Sequence, residues 1–302
     1  MLNVLVAAWP RSALALNSDY IVAGKPLVFM AIFYDTHAHL DYPDFAAELD
    51  QVIARAQAAG ITKIISIGTD GDSSRRAIQL AEKFPCVYAV AGWHPSDAVA
   101  APEDIRGELR ELARHPKVVA LGETGLDYYR LPGEKPGGTA ADDERCKQKQ
   151  ASLFRQHLEV AAEVGLNCVI HQRGDCFNDT LQILQPFANR VRGVFHCFAG
   201  DVQAMEQVLA LDSLVSFTGI ATFKNGQNVR DTIAATPLGK FMLETDSPFL
   251  APVPYRGKRC EPAYVREISE VVAQVKNCSL QELSQATCET AHTFFPKLGT
   301  IA

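Results

Sequence analysis

The sequence predicts an α/β fold in which a parallel sheet closes into a (β/α)8 TIM barrel. Three observations predict it. From Ala31 onward, short apolar runs alternate with stretches whose apolar residues recur at spacings of three and four, the pattern of strands joined by helical crossovers. About eight such strands can be counted in 302 residues, a length normal for a barrel of roughly 250. Five of the apolar runs, early and late, end in a histidine or a carboxylate. Only a closed sheet brings its first and last strands together, so that such ends can converge.

The strands are read at about 32–37, 63–67, 87–91, 118–122, 167–171, 192–196, 214–218 and 241–245. The first helix is read at 44–59 and stops at Gly60; the others span 73–83, 102–114, 147–164, 175–187, 202–211, 228–235, 265–276 and 280–295. No second domain, repeat or linker interrupts residues 30–302, which read as a single barrel domain. Residues 1–29 differ. They are apolar as far as Leu16 but carry Pro10 and Arg11 in the middle, and they lack the leading positive charge of a signal peptide. They read as an N-terminal extension, or Met30 is the true start. The segment 131–143 is rich in proline and glycine and follows the strand that ends at Glu123. In a barrel it lies on the C-terminal face, as a lid or as a tolerated surface insertion.

Hydrophobic residues make up 47% of the chain, enough for a large core, yet no run approaches the ~20 apolar residues of a membrane span. The net charge of -6 argues against coating nucleic acid by bulk electrostatics. It leaves a nucleic-acid enzyme open, because bound cations supply positive charge locally. The 8 cysteines form no C-x-x-C pair, and Cys86, Cys168 and Cys197 sit in apolar runs as small hydrophobes. A reducing, cytoplasmic compartment is expected, with no membrane and no obligate protein partner.

The strand ends carry the chemistry. His37 and His39 are two apart on a strand and can aim both imidazoles at one ion. Glu123 has two carboxylate oxygens and can bridge a pair of ions ~3.5–4 Å apart. His171 and His196 end consecutive strands. Asp246 can ligate a metal or take a proton from water. Each has a bland alternative: polar alternation for the H-x-H pair, a solvated acid for Glu123, core histidines for His171 and His196, a turn former for Asp246. Five matching strand ends in one barrel do not read as coincidence.

At this point the sequence resembles the TatD-type metal-dependent deoxyribonucleases. The resemblance rests on His37-x-His39, Gly122-Glu123-Thr124-Gly125-Leu126-Asp127-Tyr128-Tyr129, His196-Cys197-Phe198-x-Gly200 and Glu244-Thr245-Asp246-Ser247-Pro248. Gly92-x-His94-Pro95, Ile170-His171-x-Arg173 and Arg256-Gly257-Lys258 add to it, in the right order from about Ile32 to Phe295. It implies an amidohydrolase-type barrel with one or two divalent cations (Mg2+, Mn2+ or Zn2+). It also implies hydrolysis of DNA phosphodiesters, often as a 3′-to-5′ exonuclease on single strands. Carried over residue by residue, His37, His39, Glu123 and Asp246 would hold one ion and Glu123, His171 and His196 the second. Cys260, Thr290 and Gly174 depart from the family pattern without removing a ligand.

Asp246 and Glu123 are thus the catalytic candidates. His94, Arg173, Lys224 and Arg256 are the substrate-binding candidates, joined by Arg230 and Lys258; Tyr128, Tyr129 and Phe198 are candidates for stacking on bases. The competing reading is turn capping for His94, a solvated surface charge for the arginines and lysines, and packing on the barrel rim for the aromatics. Histidines 115, 157 and 292 receive no role. A hydrolase of a small amide, ester or phosphoester is the alternative function, and a non-catalytic metal-binding scaffold the third.

Overall fold

Strand residues alternate between two environments, and that alternation builds a barrel. The computed structural model describes residues 31–299; the reading of residues 1–29 lies outside them. The strands are β1 (Phe33–Ala38), β2 (Ile61–Ile67), β3 (Val87–Ala91), β4 (Val118–Asp127), β5 (Asn167–Arg173), β6 (Gly193–Phe195), β7 (Leu214–Phe217) and β8 (Phe241–Leu243). Tyr34, Ile65, Val90, Val119, Val169, Val194, Leu214 and Met242, one from each strand, belong to one apolar cluster. Their strand neighbours Phe33, Ile64, Ala89, Val118, Cys168, Phe195, Val215 and Phe241 belong to another, shared with the helices. Side chains two apart therefore fill the barrel, and the intervening ones hold the helical coat. Phe294, Phe295 and Leu298 join the inner cluster and floor the barrel. Each buried phenylalanine there contributes roughly 1.5–3 kcal/mol.

The eight strands form one sheet in sequence order, with all adjacent pairs parallel. Closure occurs between β1 and the segment after β8. Ala38 and Ser247 make a parallel bridge, Asp246 N–H donates to His37 O at 2.9 Å, and His39 N–H donates to Ser247 O at 2.7 Å. The seam is made by the residues flanking the predicted ligands, so closing the barrel and assembling the site are one event.

The helices are α1 (Pro43–Ala46), α2 (Leu49–Ala58), α3 (Gly71–Lys83), α4 (Arg106–Ala113), α5 (Ala140–Val164), α6 (Phe177–Leu184), α7 (Val202–Ala210), α8 (Gln227–Ala235), α9 (Val265–Lys276) and α10 (Leu280–Phe294). Several differ from the sequence reading for local reasons. The helix expected at 44–59 is broken at Glu48, whose non-helical backbone (φ -142°, ψ 24°) starts α2 afresh. α5 begins at Ala140, inside the segment read as loop. Thr139 caps it, its hydroxyl accepting from Asp142 N–H while the Asp142 carboxylate accepts from Thr139 N–H. β4 runs on to Asp127 because its pairing with β5 continues as far as Asp127–Arg173. β8 ends at Leu243, because the Asp35 carboxylate takes both Thr245 N–H at 2.9 Å and the Thr245 hydroxyl at 2.6 Å. Burial pushes the Asp35 carboxyl up to about 8 against those hydrogen bonds.

Candidate metal centre

Two bulges aim the inward groups. In β1, Asp35 pairs with Ile64 and Ala38 with Ser66, so β1 spends one extra residue at Thr36–His37. In β4, Leu121 pairs with Cys168 and Thr124 with Ile170, so the extra residue falls at Gly122–Glu123. A bulge turns side chains off the regular alternation. All of β1 is buried, rather than alternating polar and apolar. Gly125, at φ 134°, lets β4 run against β5; a Cβ there would collide with the backbone carbonyl of His171. Gly125→Ala is expected to cost about 2–4 kcal/mol, a fall of roughly 2–4 °C in melting temperature per kcal/mol. A calorimetric melt unchanged from wild type would contradict this placement.

The six predicted ligands meet at the C-terminal mouth, and Glu123 lies at their centre. Its Oε1 is 2.7 Å from His196 Nε2 and 2.8 Å from His171 Nδ1. Its Oε2 is 3.4 Å from His37 Nε2 and 3.8 Å from His39 Nε2. Asp246 Oδ1 closes the second group, 3.4 Å from His39 Nε2 and 3.6 Å from His37 Nε2. One carboxylate thus presents one oxygen to each of two ligand groups. His94, expected to contact substrate, joins the first group: its Nε2 lies 3.3 Å from Glu123 Oε1 and 3.2 Å from His171 Nδ1.

The donor set fits a divalent cation. His37 Nε2, which faces both Glu123 Oε2 and Asp246 Oδ1, is buried without a hydrogen-bond partner. Such orphaned atoms are costly unless something binds them. Nitrogen and carboxylate oxygen together suit zinc and other first-row ions. The family model described as TatD related DNase matches residues 34–296.

The chain belongs to this family.

Its TatD relatives include YabD of Bacillus subtilis, named an uncharacterized metal-dependent hydrolase, 36% identical over 265 residues that cover 87% of this chain and 99% of YabD. A protein of Enterobacter lignolyticus named 3′-5′ ssDNA/RNA exonuclease TatD is 32% identical over 268 residues, covering 87% of this chain and 98% of its own. The crystal structure of YJJV, a TatD homologue of Escherichia coli, superposes with a TM-score of 0.79 at 28% identity, covering 87% and 98%. The chain is accordingly a (β/α)8 barrel of a metal-dependent hydrolase family. No helix among the described residues is long and apolar enough to cross a membrane.

Electrostatics in this TatD site follow from burial and crowding. Burial alone would raise the Glu123 carboxyl, but His196, His94 and His37 outweigh it and hold the group well below the usual carboxylate range. Burial would likewise raise Asp246, but His39, His37 and His196 together outweigh it and keep the carboxyl low. Burial drives His37 down, toward the neutral imidazole a cation requires. Cys197, just after His196, and Asp246 itself adopt left-handed φ values of 49° and 57°. Each costs of order 1 kcal/mol, strain that collects at functional sites.

Asp127 and Glu244 belong to the site although sequence reasoning gave them no role. His171 Nε2–H donates to Asp127 Oδ2 at 3.1 Å, fixing the ring with Nδ1 toward Glu123. The Glu244 carboxylate accepts from Cys197 N–H at 2.6 Å and lies 3.6 Å from His196 Nδ1. Carboxylates behind ligating histidines orient and tune them. Their signal was the spacing: Asp127 follows Glu123 by four residues, and Glu244 precedes Asp246 by two.

The other candidates scatter around the rim. Arg173 ends β5 with its guanidinium 4.1 Å from the Tyr129 ring centroid, and Arg256 lies 3.7 Å over Phe223. Lys224 and Lys258 are exposed. None of the four hydrogen-bonds or ion-pairs with the central cluster. Two expectations are corrected. Phe198 is buried in the core against the helices and has no free face. Arg230 spends its guanidinium on the Ala221 and Phe223 carbonyls, holding a turn. Of the departures from the family pattern, Cys260 is buried, and Thr290 donates to Ala286 O within α10.

His157 supports the site from behind. Its Nε2 accepts from Trp93 N–H at 3.0 Å, and its Nδ1–H donates to Leu153 O at 2.7 Å. Protonation would set an N–H against the Trp93 N–H. Burial pushes this imidazole from 6.5 down to about 4. The unfolded chain therefore binds the proton first, and stability present above pH 6.5 is lost as pH falls toward 4. The loss is on the order of 3 kcal/mol. Urea midpoints followed from pH 7 to 4 should fall less steeply in His157→Gln than in wild type; parallel curves would refute this assignment.

Proposed function

We propose that the protein is a metal-dependent phosphodiesterase that degrades single-stranded DNA from the 3′ end. One observation carries the reading: the two oxygens of Glu123 each face a different group of candidate ligands, His196 and His171 on one side, His37 and His39 on the other. His37, His39, Glu123 and Asp246 would hold one divalent cation; Glu123, His171 and His196 would hold a second, with His94 beside it. Bound there, the cations would lower the pKa of a water toward ~7 and offset negative charge on the phosphate oxygens. Asp246 accepts the proton of the attacking water and returns it to the leaving oxygen. Its side chain is 14% exposed, against 2% for Glu123, so of the two carboxylates it is the one open to the mouth. Its low pKa keeps it ionised and ready to accept. Asp127 and Glu244 hold the rings of His171 and His196 in place.

The relative named as a 3′-5′ ssDNA/RNA exonuclease supports this choice of substrate. A reducing, cytoplasmic compartment fits the eight cysteines, all unpaired. The test compares 3′- and 5′-labelled single strands across a panel of Mg2+, Mn2+ and Zn2+, beside nitrophenyl esters and small amides. The 3′ label should leave first, as a mononucleotide. Turnover of an amide or carboxylic ester without cleavage of any strand would transfer the reading to the small-molecule hydrolases.

A further inference from the structure

The rim beside His171 carries an aromatic and cationic group that the proposed chemistry does not use. Tyr129 is 47% exposed, one of two aromatic side chains so open among the described residues. Arg173 lies over its ring at 4.1 Å and Arg130 at 5.2 Å from the centroid. A tyrosine left open at a surface and flanked by guanidinium planes has the chemistry of a stacking platform.

The cations on this rim are free of carboxylates. Among the described residues Arg130, Arg173, Lys224, Arg256 and Lys258 make no ion pair. Away from the mouth, pairing is common: Arg55 with Glu261, Arg75 with Glu108, Arg106 with Glu159, Arg110 with Glu163. In a chain of net charge -6, these five unpaired positive groups lie where a polyanion would approach.

The platform is also tied to the metal cluster. Asp127 Oδ2 accepts from His171 Nε2–H at 3.1 Å, while Asp127 Oδ1 accepts from Tyr129 N–H at 2.9 Å. Tyr128 N–H donates to Arg173 O at 2.8 Å. Gly174, at φ 80°, brings the β5 end so close that a Cβ would touch the Tyr129 nitrogen. Tyr129 and Arg173 are therefore held side by side, one carboxylate away from a ligating histidine.

We propose that Tyr129, with Arg173 and Arg130, is a nucleobase-stacking subsite for a nucleotide next to the scissile phosphate, the arginines contacting its flanking phosphates. The inference rests on the phosphodiesterase reading and specifies the substrate: an unpaired strand longer than one nucleotide. A duplex keeps its bases stacked on one another and cannot use the platform.

The test uses the full-length, metal-loaded protein and a short fluorescent phosphorothioate oligothymidine, with binding read by anisotropy. Tyr129→Ala should weaken binding about tenfold, and Tyr129→Trp should restore it. Arg173→Ala should make the salt dependence of log Kd shallower by about 0.7. The matching duplex should show no dependence on Tyr129. Equal affinity of wild type and Tyr129→Ala for the single strand would overturn the subsite, as would an equal loss for duplex and single strand. Turnover of an unmodified strand by wild type, measured in parallel, reports separately on the phosphodiesterase reading: strand binding that depends on Tyr129 but goes with no cleavage removes that reading and leaves the platform standing.

Discussion

Glu123→Ala is expected to lower kcat/KM on single-stranded DNA by about 10³-fold or more, equivalent to at least ~4 kcal/mol of lost transition-state stabilisation. The size follows from position. Glu123 lies within 4 Å of His37, His39, His94, His171 and His196, and its two oxygens are divided between the two ligand groups. Removing it leaves a ring of imidazoles with no anion at its centre, and both proposed ions lose a ligand together. Glu123→Gln keeps the shape but halves the acceptor capacity and removes the charge, so it should be nearly as defective. Glu123→Asp, one methylene shorter, should retain one half of the site better than the other. Metal content by mass spectrometry and kcat/KM, taken on the same samples, check this series. A Glu123→Ala protein that binds metal normally and cleaves at the wild-type rate would remove the bridge from the account.

Asp246→Asn should act on turnover rather than assembly. As general base, a carboxylate is worth roughly 10²–10⁴-fold. The amide can still present an oxygen toward His37 and His39, so one ion should be held more weakly but not lost. kcat should therefore fall by about that factor while KM for the strand changes little. Because His39 and its neighbours hold the Asp246 carboxyl low, wild-type kcat should not fall with this group until the pH drops below the ordinary carboxylate range. In Asp246→Asn any acid limb from this group disappears. A variant whose KM rises with kcat unchanged would make Asp246 a binding residue instead.

The barrel and its six central groups were legible because they depend on short-range pattern. Apolar runs ending in His171 or His196 record a strand and its C-terminal end in the same few residues. Closure was legible only indirectly, through ligands shared by β1 and the segment after β8. The precise aim of the groups was not legible. His37 and His39 converge through a bulge and the seam to Ser247 rather than through simple alternation, and bulges leave no period in a sequence. Asp127 and Glu244 were missed for a different reason. A carboxylate that orients a histidine looks like any strand-end acid until the pairing of β4 with β5, or the path after β8, sets it behind the ring. The closeness of His94 to Glu123 was not legible, because it is fixed by the approach of β3 to β4. Phe198 and Arg230 failed as surface candidates because burial and carbonyl partners depend on helices remote in sequence.

The most direct test of the central claim is a titration of Mn2+ into chelator-stripped protein, with cleavage of a 3′-labelled single strand measured at each addition. Turnover should be absent at the start, rise in step with bound metal, and stay absent in Glu123→Ala. Cleavage by the stripped protein, or full cleavage by Glu123→Ala, would contradict it.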